Sequence, residues 1–264
     1  MNKTIFPLIV LAWACGSAQA QTAPASPEPE SALSFNVGVV TDYRYRGISQ
    51  SSRNPAVQIG GDYAHKSGFY IGAWHSTIQW ITDNNVVQTA TTLKGAGELD
   101  IYGGYKGEIV KGLGYDVGIL RYEYLGNTLE DTGGSKYRIY DNANTTEVYG
   151  ALSYGLFTAK YSFSTTPLFG NLRSQGSGYL DLSATVDLGN GLSVVPHFGA
   201  QSVVNVPTAA YNDYSVALNK DFGGGLVASL AFVTTNADKT NYARPIDSKF
   251  LGESAGVLGI KYTF

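Results

Sequence analysis

Residues 178–200 read GYLDLSATVDLGNGLSVVPHFGA, and this stretch decides the fold class. From Leu180 to Leu188 every second residue is apolar, and the residues between them are polar or charged. Successive side chains on a β-strand point to opposite faces, so this alternation predicts a strand with one apolar and one polar face. Gly189-Asn190-Gly191 then supplies a tight turn into a second strand, which predicts an antiparallel hairpin.

The same alternation recurs along most of the chain in both directions. We predict twelve strands, most of them about 8–12 residues long, close to the ~9–11 residues that cross a bilayer at a tilt. In the fifth strand Arg121 and Glu123 share a face with Val117 and Ile119, which predicts a bulge or an extension above the membrane. The predicted strands are 34–45, 56–64, 69–76, 96–106, 113–124, 146–154, 157–164, 178–188, 192–201, 213–220, 226–234 and 255–264.

The connections between these strands are segregated by length. Those after even-numbered strands are short, such as 155–156, whereas those after odd-numbered strands are long, such as 77–95 and 125–145. An even number of strands with tight turns at one end and long loops at the other is typical of outer-membrane barrels. The pattern predicts an all-β fold, a transmembrane antiparallel up-and-down β-barrel of about twelve strands.

The composition agrees with a membrane barrel. Charged residues make up 15% of the chain, against about 25% in typical globular proteins, and there are 32 Gly and 19 Tyr. A closed barrel pairs every backbone N–H and C=O group internally, as a hydrocarbon environment requires.

The N-terminus predicts export. A positive start, a short apolar run and Ala18-Gln19-Ala20 match a signal peptide at 1–20 that is cleaved after Ala20. A lipoprotein signal acylated at Cys15 is the alternative. We predict a disordered periplasmic leader at 21–32 and a barrel at 33–264, which places the mature chain in the outer membrane of a Gram-negative bacterium.

Several functional classes are disfavoured by composition. The single Cys lies in the predicted signal, so the mature chain has no disulfide or thiolate metal site. Without Lys3, 17 basic residues face 21 acidic ones, and a formal charge of −4 gives no reason to expect nucleic-acid binding.

A barrel enzyme, such as a lipid hydrolase, is an alternative that depends on three histidines. His65 lies in a predicted turn, His75 stands next to Ser76, and His197 alternates inward toward Ser183 or Asp181. A lumen histidine on a strand is more often a pore-lining polar group. No G-x-S-x-G, H-E-x-x-H or P-loop pattern occurs, so we predict no catalytic residue, no metal site and no cofactor.

Charged residues concentrate on the face opposite the apolar one. Placing Arg or Lys in lipid at mid-depth costs about 2–4 kcal/mol, so this face predicts a wet interior. Nine of these residues are acidic and four are basic, which predicts a narrow lumen that mildly favours cations; a plug of salt bridges is the alternative. The predicted pore-lining residues are Asp42, Arg44, Asp62, Glu98, Asp100, Lys106, Asp116, Glu147, Lys160, Asp181, Asp187, His197, Asp213 and Lys261.

Aromatic and glycine residues complete the expected barrel. We place Tyr43, Tyr45, Tyr122, Tyr124 and Trp74 in the two interfacial girdles. Glycines on the polar face are expected either to leave room in the lumen or to ease curvature of the sheet. These glycines are Gly60, Gly72, Gly104, Gly118, Gly199 and Gly259.

The C-terminal strand ends in Leu258, Ile260, Tyr262 and Phe264 on one face. This aromatic-terminated pattern resembles the signal that the barrel assembly machinery reads. We expect that machinery, outer-membrane lipid and lipopolysaccharide, and small polar solutes or ions as partners.

Residues 42–58, DYRYRGISQSSRNPAVQ, and 68–74, GFYIGAW, resemble the TorF-type porins, a proteobacterial family of conserved hypothetical outer-membrane proteins. The resemblance implies a porin and carries over no catalytic residue. The residues that match the motif would act either in folding of the first hairpin or in pore selectivity. The residues that match the motif are Asp42, Arg44, Arg46, Ser49, Gln50 and Trp74.

We therefore expect a porin for passive diffusion of ions or small polar solutes. The alternatives are a barrel enzyme and a structural or adhesion barrel that acts through its long loops.

Overall fold

The computed structural model describes residues 30–86, 94–131 and 140–264. The predicted signal peptide at 1–20 and the leader residues 21–29 lie outside the described residues. Among the described residues, no helix has both the length and the apolarity needed to span a membrane.

Twelve antiparallel strands form one closed sheet, as the alternation predicts. Neighbours in sequence are neighbours in the sheet, and the first strand pairs with the last from Asn36↔Thr263 to Val40↔Gly259. The eighth strand is interrupted at Thr185 and has two segments. The strands are β1 Ser31–Val40, β2 Ala56–His65, β3 Phe69–Thr77, β4 Gly97–Val110, β5 Leu113–Tyr124, β6 Thr145–Tyr154, β7 Phe157–Ser164, β8 Gly178–Ala184 with Val186–Gly189, β9 Leu192–Ser202, β10 Tyr211–Asp221, β11 Leu226–Thr235 and β12 Ala255–Thr263.

The two faces of the sheet differ in polarity. Leu33, Phe35, Val37 and Val39 of β1 are exposed on the outer face, whereas the alternate residues point inward. The same alternation in the other strands gives a continuous apolar outer surface. Because the sheet closes on itself, it has no unpaired edge strand, which is the condition for a β-structure in lipid.

The first strand differs from the prediction at both ends. It begins at Ser31, inside the predicted leader, and ends at Val40 rather than at residue 45. The chain leaves the wall after Val40 because residues 41–55 fold into the barrel.

The fifth strand pairs regularly from Leu113 to Tyr122 with β6, so of the two predicted alternatives, a bulge or an extension, the bulge is absent around Arg121. In the pairing of β5 with β4, the register shifts between Glu108 and Val110 of β4. Arg121 and Glu123 instead form an ion pair of 2.8 Å on the outer face, towards the end of β5 that carries a long loop.

Tight turns and long loops occupy opposite ends of the barrel. Within the described parts of the long loops, short 3₁₀-helices span Thr82–Val86, Leu129–Asp131 and Pro207–Ala209. A small hairpin of Ala243–Arg244 and Lys249–Phe250 lies in the loop before β12.

Candidate functional site: a barrel lumen occupied by the first loop

Residues 41–55, here called the plug, fold into the lumen instead of extending outward. The plug contains a small hairpin in which Arg44–Tyr45 pairs with Ile48–Ser49. Its turn residues Arg46 and Gly47 have φ values of 47° and 79°, as a two-residue type I′ turn requires. A Cβ atom at Gly47 would lie 2.7 Å from the Cβ atom of Asp213 on β10, so only glycine fits where the turn meets the wall.

Asp42 holds the plug hairpin together. Its carboxylate accepts hydrogen bonds from Ser49 Oγ at 2.5 Å and from Arg44 Nε at 2.6 Å. Arg44 Nη1 also donates to the carbonyl oxygens of Gly47 and Glu253. The side-chain hydrogen bonds of Asp42, Arg44 and Ser49 therefore lie within the plug, apart from the bond of Arg44 to Glu253.

Arg46 connects the plug to the far wall. Its Nη2 donates to both carboxylate oxygens of Glu147 on β6, at 2.8 and 3.0 Å, and its Nη1 donates to Gln201 Oε1 on β9 at 2.8 Å. The guanidinium carbon lies 4.2 Å from the centre of the Tyr179 ring and 4.8 Å from that of Tyr45. Arg46, Glu147 and Gln201 are all buried, so this charge pair is desolvated and held by charge-assisted hydrogen bonds.

Tyrosines fill the space between the plug and the wall. Tyr43 is fully buried, donates a 2.8 Å hydrogen bond to Glu98 Oε1, and packs edge-on against Trp74. The hydroxyls of Tyr45 and Tyr122 are hydrogen-bonded to each other.

The placement of Tyr43, Tyr45, Tyr122, Tyr124 and Trp74 in interfacial girdles is wrong, because these side chains pack inside the barrel. Alternation puts Tyr122 and Tyr124 on the same face as Asp116, so they point inward with it. The exposed aromatic residues near the tight turns include Tyr154, Phe157 and Phe264.

Two other loops hold the plug from the long-loop end. The carbonyl oxygen of Gln50 accepts hydrogen bonds from the backbone N–H groups of Gln79 and Trp80. On the other side, Arg53 forms a 2.6 Å ion pair with Glu253.

Below the plug, tyrosine rings cover glycines of the neighbouring strands. We call this surface, made of Tyr70, Tyr102, Tyr149 and Tyr179, the tyrosine wall. A Cβ atom at Gly104 would lie 2.5 Å from the Tyr70 hydroxyl oxygen, and one at Gly118 would lie 2.4 Å from that of Tyr149. Tyrosine rings therefore occupy the space beside four of the glycines expected either to leave room or to ease curvature: Gly72, Gly104, Gly118 and Gly199. Asn36 and Trp74 occupy the space beside Gly60.

The tyrosine hydroxyls bind lumen carboxylates. Tyr70 donates to Asp116 at 2.6 Å, Tyr102 to Asp62 at 2.5 Å and Tyr179 to Asp213 at 2.9 Å. In the described parts of the chain, no arginine or lysine nitrogen lies within 4.0 Å of these three carboxylates.

Strands β10–β12 carry much smaller inward side chains, which we call the small-residue wall. At Asn219 both amide atoms are buried without a hydrogen-bond partner in the described parts of the chain. The small-residue wall consists of Ser215, Ala217, Asn219, Ser229, Ala231 and Gly259.

The profile of a family described as "Bacterial protein of unknown function (Gcw_chp)" matches residues 21–264. The chain belongs to this family. Its description names no porin, so the TorF-type resemblance remains a prediction. No curated protein matches this Gcw_chp chain.

Solved structures of porins share the fold of this Gcw_chp chain. A KdgM porin matches with a TM-score of 0.53 at 8% identity, over 88% of this chain and 99% of that one. A KdgM porin in complex with disordered oligogalacturonate has a TM-score of 0.52 at 7% identity, over 89% and 99%. A NanC porin has 0.51 at 10% identity, over 88% and 99%. At such identities the similarity concerns the fold alone.

In the Gcw_chp chain, most residues predicted to line the pore lie on the inner face of the sheet. Asp42 and Arg44 belong to the plug, and Asp187 is exposed beside a tight turn. Asp100 is buried on the inner face with its Oδ1 atom unpartnered among the described residues. The inward set on strands is Asp62, Glu98, Asp100, Lys106, Asp116, Glu147, Lys160, Asp181, His197, Asp213 and Lys261.

Three lysines of the lumen have no carboxylate oxygen within 4 Å among residues 30–86, 94–131 and 140–264: Lys106, Lys160 and Lys261. Lys160 Nζ lies 4.0 Å from the centre of the Tyr149 ring, and Lys106 Nζ lies 5.3 Å from that of Tyr70. Each lysine can therefore attract an anionic group of a solute.

His65 is hydrogen-bonded to a serine, with its Nδ1 atom 2.8 Å from Ser67 Oγ, but this contact lies in an exposed tight turn. His75 and His197, which lie within strands, have no such serine partner among the described residues. His75 points outward, away from the inward Ser76. His197 has Asp181 at 3.5 Å from Nε2 and Asp213 at 3.6 Å from Nδ1, so both ring nitrogens face carboxylates rather than a serine hydroxyl. This arrangement holds an imidazole in the wall and offers no activated serine.

Sequence reasoning misses Arg46 and Asn219 as lumen groups. The sequence identifies Arg46 only as a motif residue, because no strand periodicity extends through a loop that turns inward. Asn219 could have been found, since it alternates with Asp213 on the polar face of β10.

Proposed function

We propose that the protein is an outer-membrane porin that lets ions or small polar solutes diffuse through a narrow lumen. The observation that carries this proposal is the closed sheet with an apolar outer face and a charged inner face. Water stabilises charged side chains on the inner face of a membrane barrel, so this lining favours a lumen that water and solutes can enter.

The two walls indicate where a solute would pass. The tyrosine wall is filled by rings that lie over glycines, whereas the inward side chains of the small-residue wall are short. The unpartnered amide of Asn219 on the latter wall supplies both a donor and an acceptor. A path along the small-residue wall would be narrow and polar, which suits small solutes.

The lining supports a mild preference for cations. Within the described lumen and plug, eight carboxylates face six basic side chains when His197 is counted as neutral. An excess of acidic groups lowers the energy of cations in a pore.

An anionic sugar is a second candidate solute. One of the similar structures is a porin in complex with oligogalacturonate, whose sugar units carry carboxylates. In this chain Lys106 and Lys160 lie beside tyrosine rings, with no carboxylate oxygen within 4 Å among the described residues, and such a pairing of cation and ring can bind an acidic sugar.

The same surface supports our proposal for the location and the partners. The exposed apolar belt is suited to outer-membrane lipid and lipopolysaccharide, and the outward Leu258, Ile260, Tyr262 and Phe264 are suited to recognition by the barrel assembly machinery. A barrel enzyme and an adhesion barrel remain the alternatives.

The test uses the mature barrel reconstituted in planar bilayers and in liposomes. We expect discrete current steps, a reversal potential in a KCl gradient with the sign for cation preference, and faster swelling with small sugars than with large ones. A folded barrel without current or swelling would rule out the porin. Current with anion preference would reject the cation proposal and favour acidic solutes.

A further inference from the structure

We propose that the plug is the constriction element of the channel and that Arg46 is the residue that determines its width and charge selectivity. This inference rests on the proposed porin function. The closed barrel by itself does not determine the width and the charge selectivity of the path, whereas one side chain at the constriction can.

The plug reaches across most of the barrel. Tyr43 contacts β4 through Glu98, Tyr45 contacts β5 through Tyr122, and Gly47 rests against Asp213 and Thr235 on β10 and β11. A segment that touches strands on both sides of a lumen must divide the path of any solute.

Arg46 makes the polar contacts of the plug with β6 and β9. Two of its hydrogen bonds go to Glu147, 101 positions away in sequence, and one goes to Gln201, 155 positions away. The plug is therefore tied to β4 and β5 by tyrosines and to β6 and β9 by this guanidinium. Removing Arg46 releases the contacts with β6 and β9 while the tyrosine contacts remain.

The Arg46–Glu147 pair also sets the charge at the constriction. Glu147 is 1% exposed, so without Arg46 it would be a buried carboxylate with no cationic partner. Such a group draws in water and cations, which widens the path and makes it more cation-selective. Loss of the Glu147 charge leaves an unpaired guanidinium at the same place and has the opposite effect on selectivity.

The experiment compares variants by single-channel recording and liposome swelling. Arg46→Ala is expected to raise conductance about two-fold or more and to shift the reversal potential toward cations. Glu147→Gln is expected to shift the reversal potential toward anions. The exchange Arg46→Glu with Glu147→Arg restores the ion pair and should return selectivity toward the starting value. Opposite shifts from the two partners of one ion pair are not expected from a merely structural role.

The matched control is Arg121→Ala, which breaks an Arg–Glu pair of the same length on the outer face. It should leave conductance and selectivity unchanged. Heat-dependent mobility on gels establishes that each variant is folded, and Arg46→Lys provides a milder variant if Arg46→Ala does not assemble.

A barrel in which residues 43–52 are replaced by a short turn separates this inference from the porin proposal. If the parent chain conducts and neither Arg46→Ala (or Arg46→Lys where Arg46→Ala does not assemble) nor the shortened barrel differs from it, the inference is wrong and the porin stands. If only the shortened barrel conducts, the plug blocks the lumen, which supports the inference and refutes passive diffusion through the intact protein. If both folded barrels are silent, both proposals fail.

Discussion

The hydroxyl of Tyr43 donates a 2.8 Å hydrogen bond to Oε1 of Glu98, in a part of the lumen where both side chains are buried. This contact ties the first residues of the plug to the wall strand β4. It also explains how a carboxylate is accommodated among aromatic rings, because the phenol supplies a donor that water would otherwise provide.

Tyr43→Phe removes this donor and leaves a carboxylate that is 1% exposed without it. We expect the free energy of unfolding in lipid vesicles to fall by about 1–3 kcal/mol. Urea titration measures this change, and Tyr154→Phe, at an exposed tyrosine, is the control. Equal stability of Tyr43→Phe and the parent chain would show that the bond contributes nothing.

Gly118→Ala tests the packing of the tyrosine wall. The added methyl group would lie 2.4 Å from the Tyr149 hydroxyl oxygen and 2.6 Å from the carbonyl oxygen of Gly103. Overpacking of this kind costs about 1–3 kcal/mol, visible as a lower urea midpoint. Gly150→Ala on the next strand meets nothing nearer than 4.0 Å and should be neutral. Similar midpoints for the two variants would contradict the packing described here.

Charge substitutions below the plug test the lining. Asp62→Asn should reduce the cation preference and Lys160→Met should increase it, each by roughly two-fold in the permeability ratio. Reversal potentials in a KCl gradient measure both. Lys66→Met, at an exposed ion pair with Glu30 beside a tight turn, should have no effect. Shifts in the same direction from Asp62→Asn and Lys160→Met would rule out electrostatic control by the lining.

The loop before β12 contains a titrating pair outside the membrane-spanning strands. The hydrogen bonds that Asp247 accepts, chiefly from Arg244, lower its pKa to about 2. Because the pKa is lowered on folding, the contact is fully formed above the ordinary carboxyl pKa of about 4 and is lost as the pH falls through about 2. NMR titration of the Asp247 carboxyl carbon in micelles measures this. Arg244→Ala should return its pKa toward 4, and a value near 4 in the parent chain would contradict the contact.

The last residue closes the barrel. Phe264 exchanges two backbone hydrogen bonds with Phe35, at 2.8 and 2.9 Å, while its ring faces outward. If the assembly machinery reads this ring, Phe264→Ala should lower the assembled fraction in cells although the backbone bonds remain. Phe222→Ala, at an exposed aromatic in a tight turn, is the control. Heat-dependent gel mobility measures the assembled fraction. An unchanged fraction for Phe264→Ala would show that the machinery does not recognise this ring.

The sequence by itself determined the strands, their alternation and the segregation of turns and loops. A period of two is a local property, so residues such as Leu180 and Leu182 reveal their common face without knowledge of their neighbours. The sequence also shows that Tyr122 and Tyr124 share the face of Asp116, which places them inside the barrel rather than in an interfacial girdle.

Only the tertiary structure decided what fills the lumen. Alternation through Tyr43 and Tyr45 continues the pattern of β1, and nothing local indicates that the chain turns inward after Val40. The plug is stabilised by contacts between distant residues, such as Arg46 with Glu147 and Gln201, which exist only once the barrel has closed. Local periodicity therefore specifies the strands of the wall, whereas the plug depends on contacts between distant parts of the chain that barrel closure brings together.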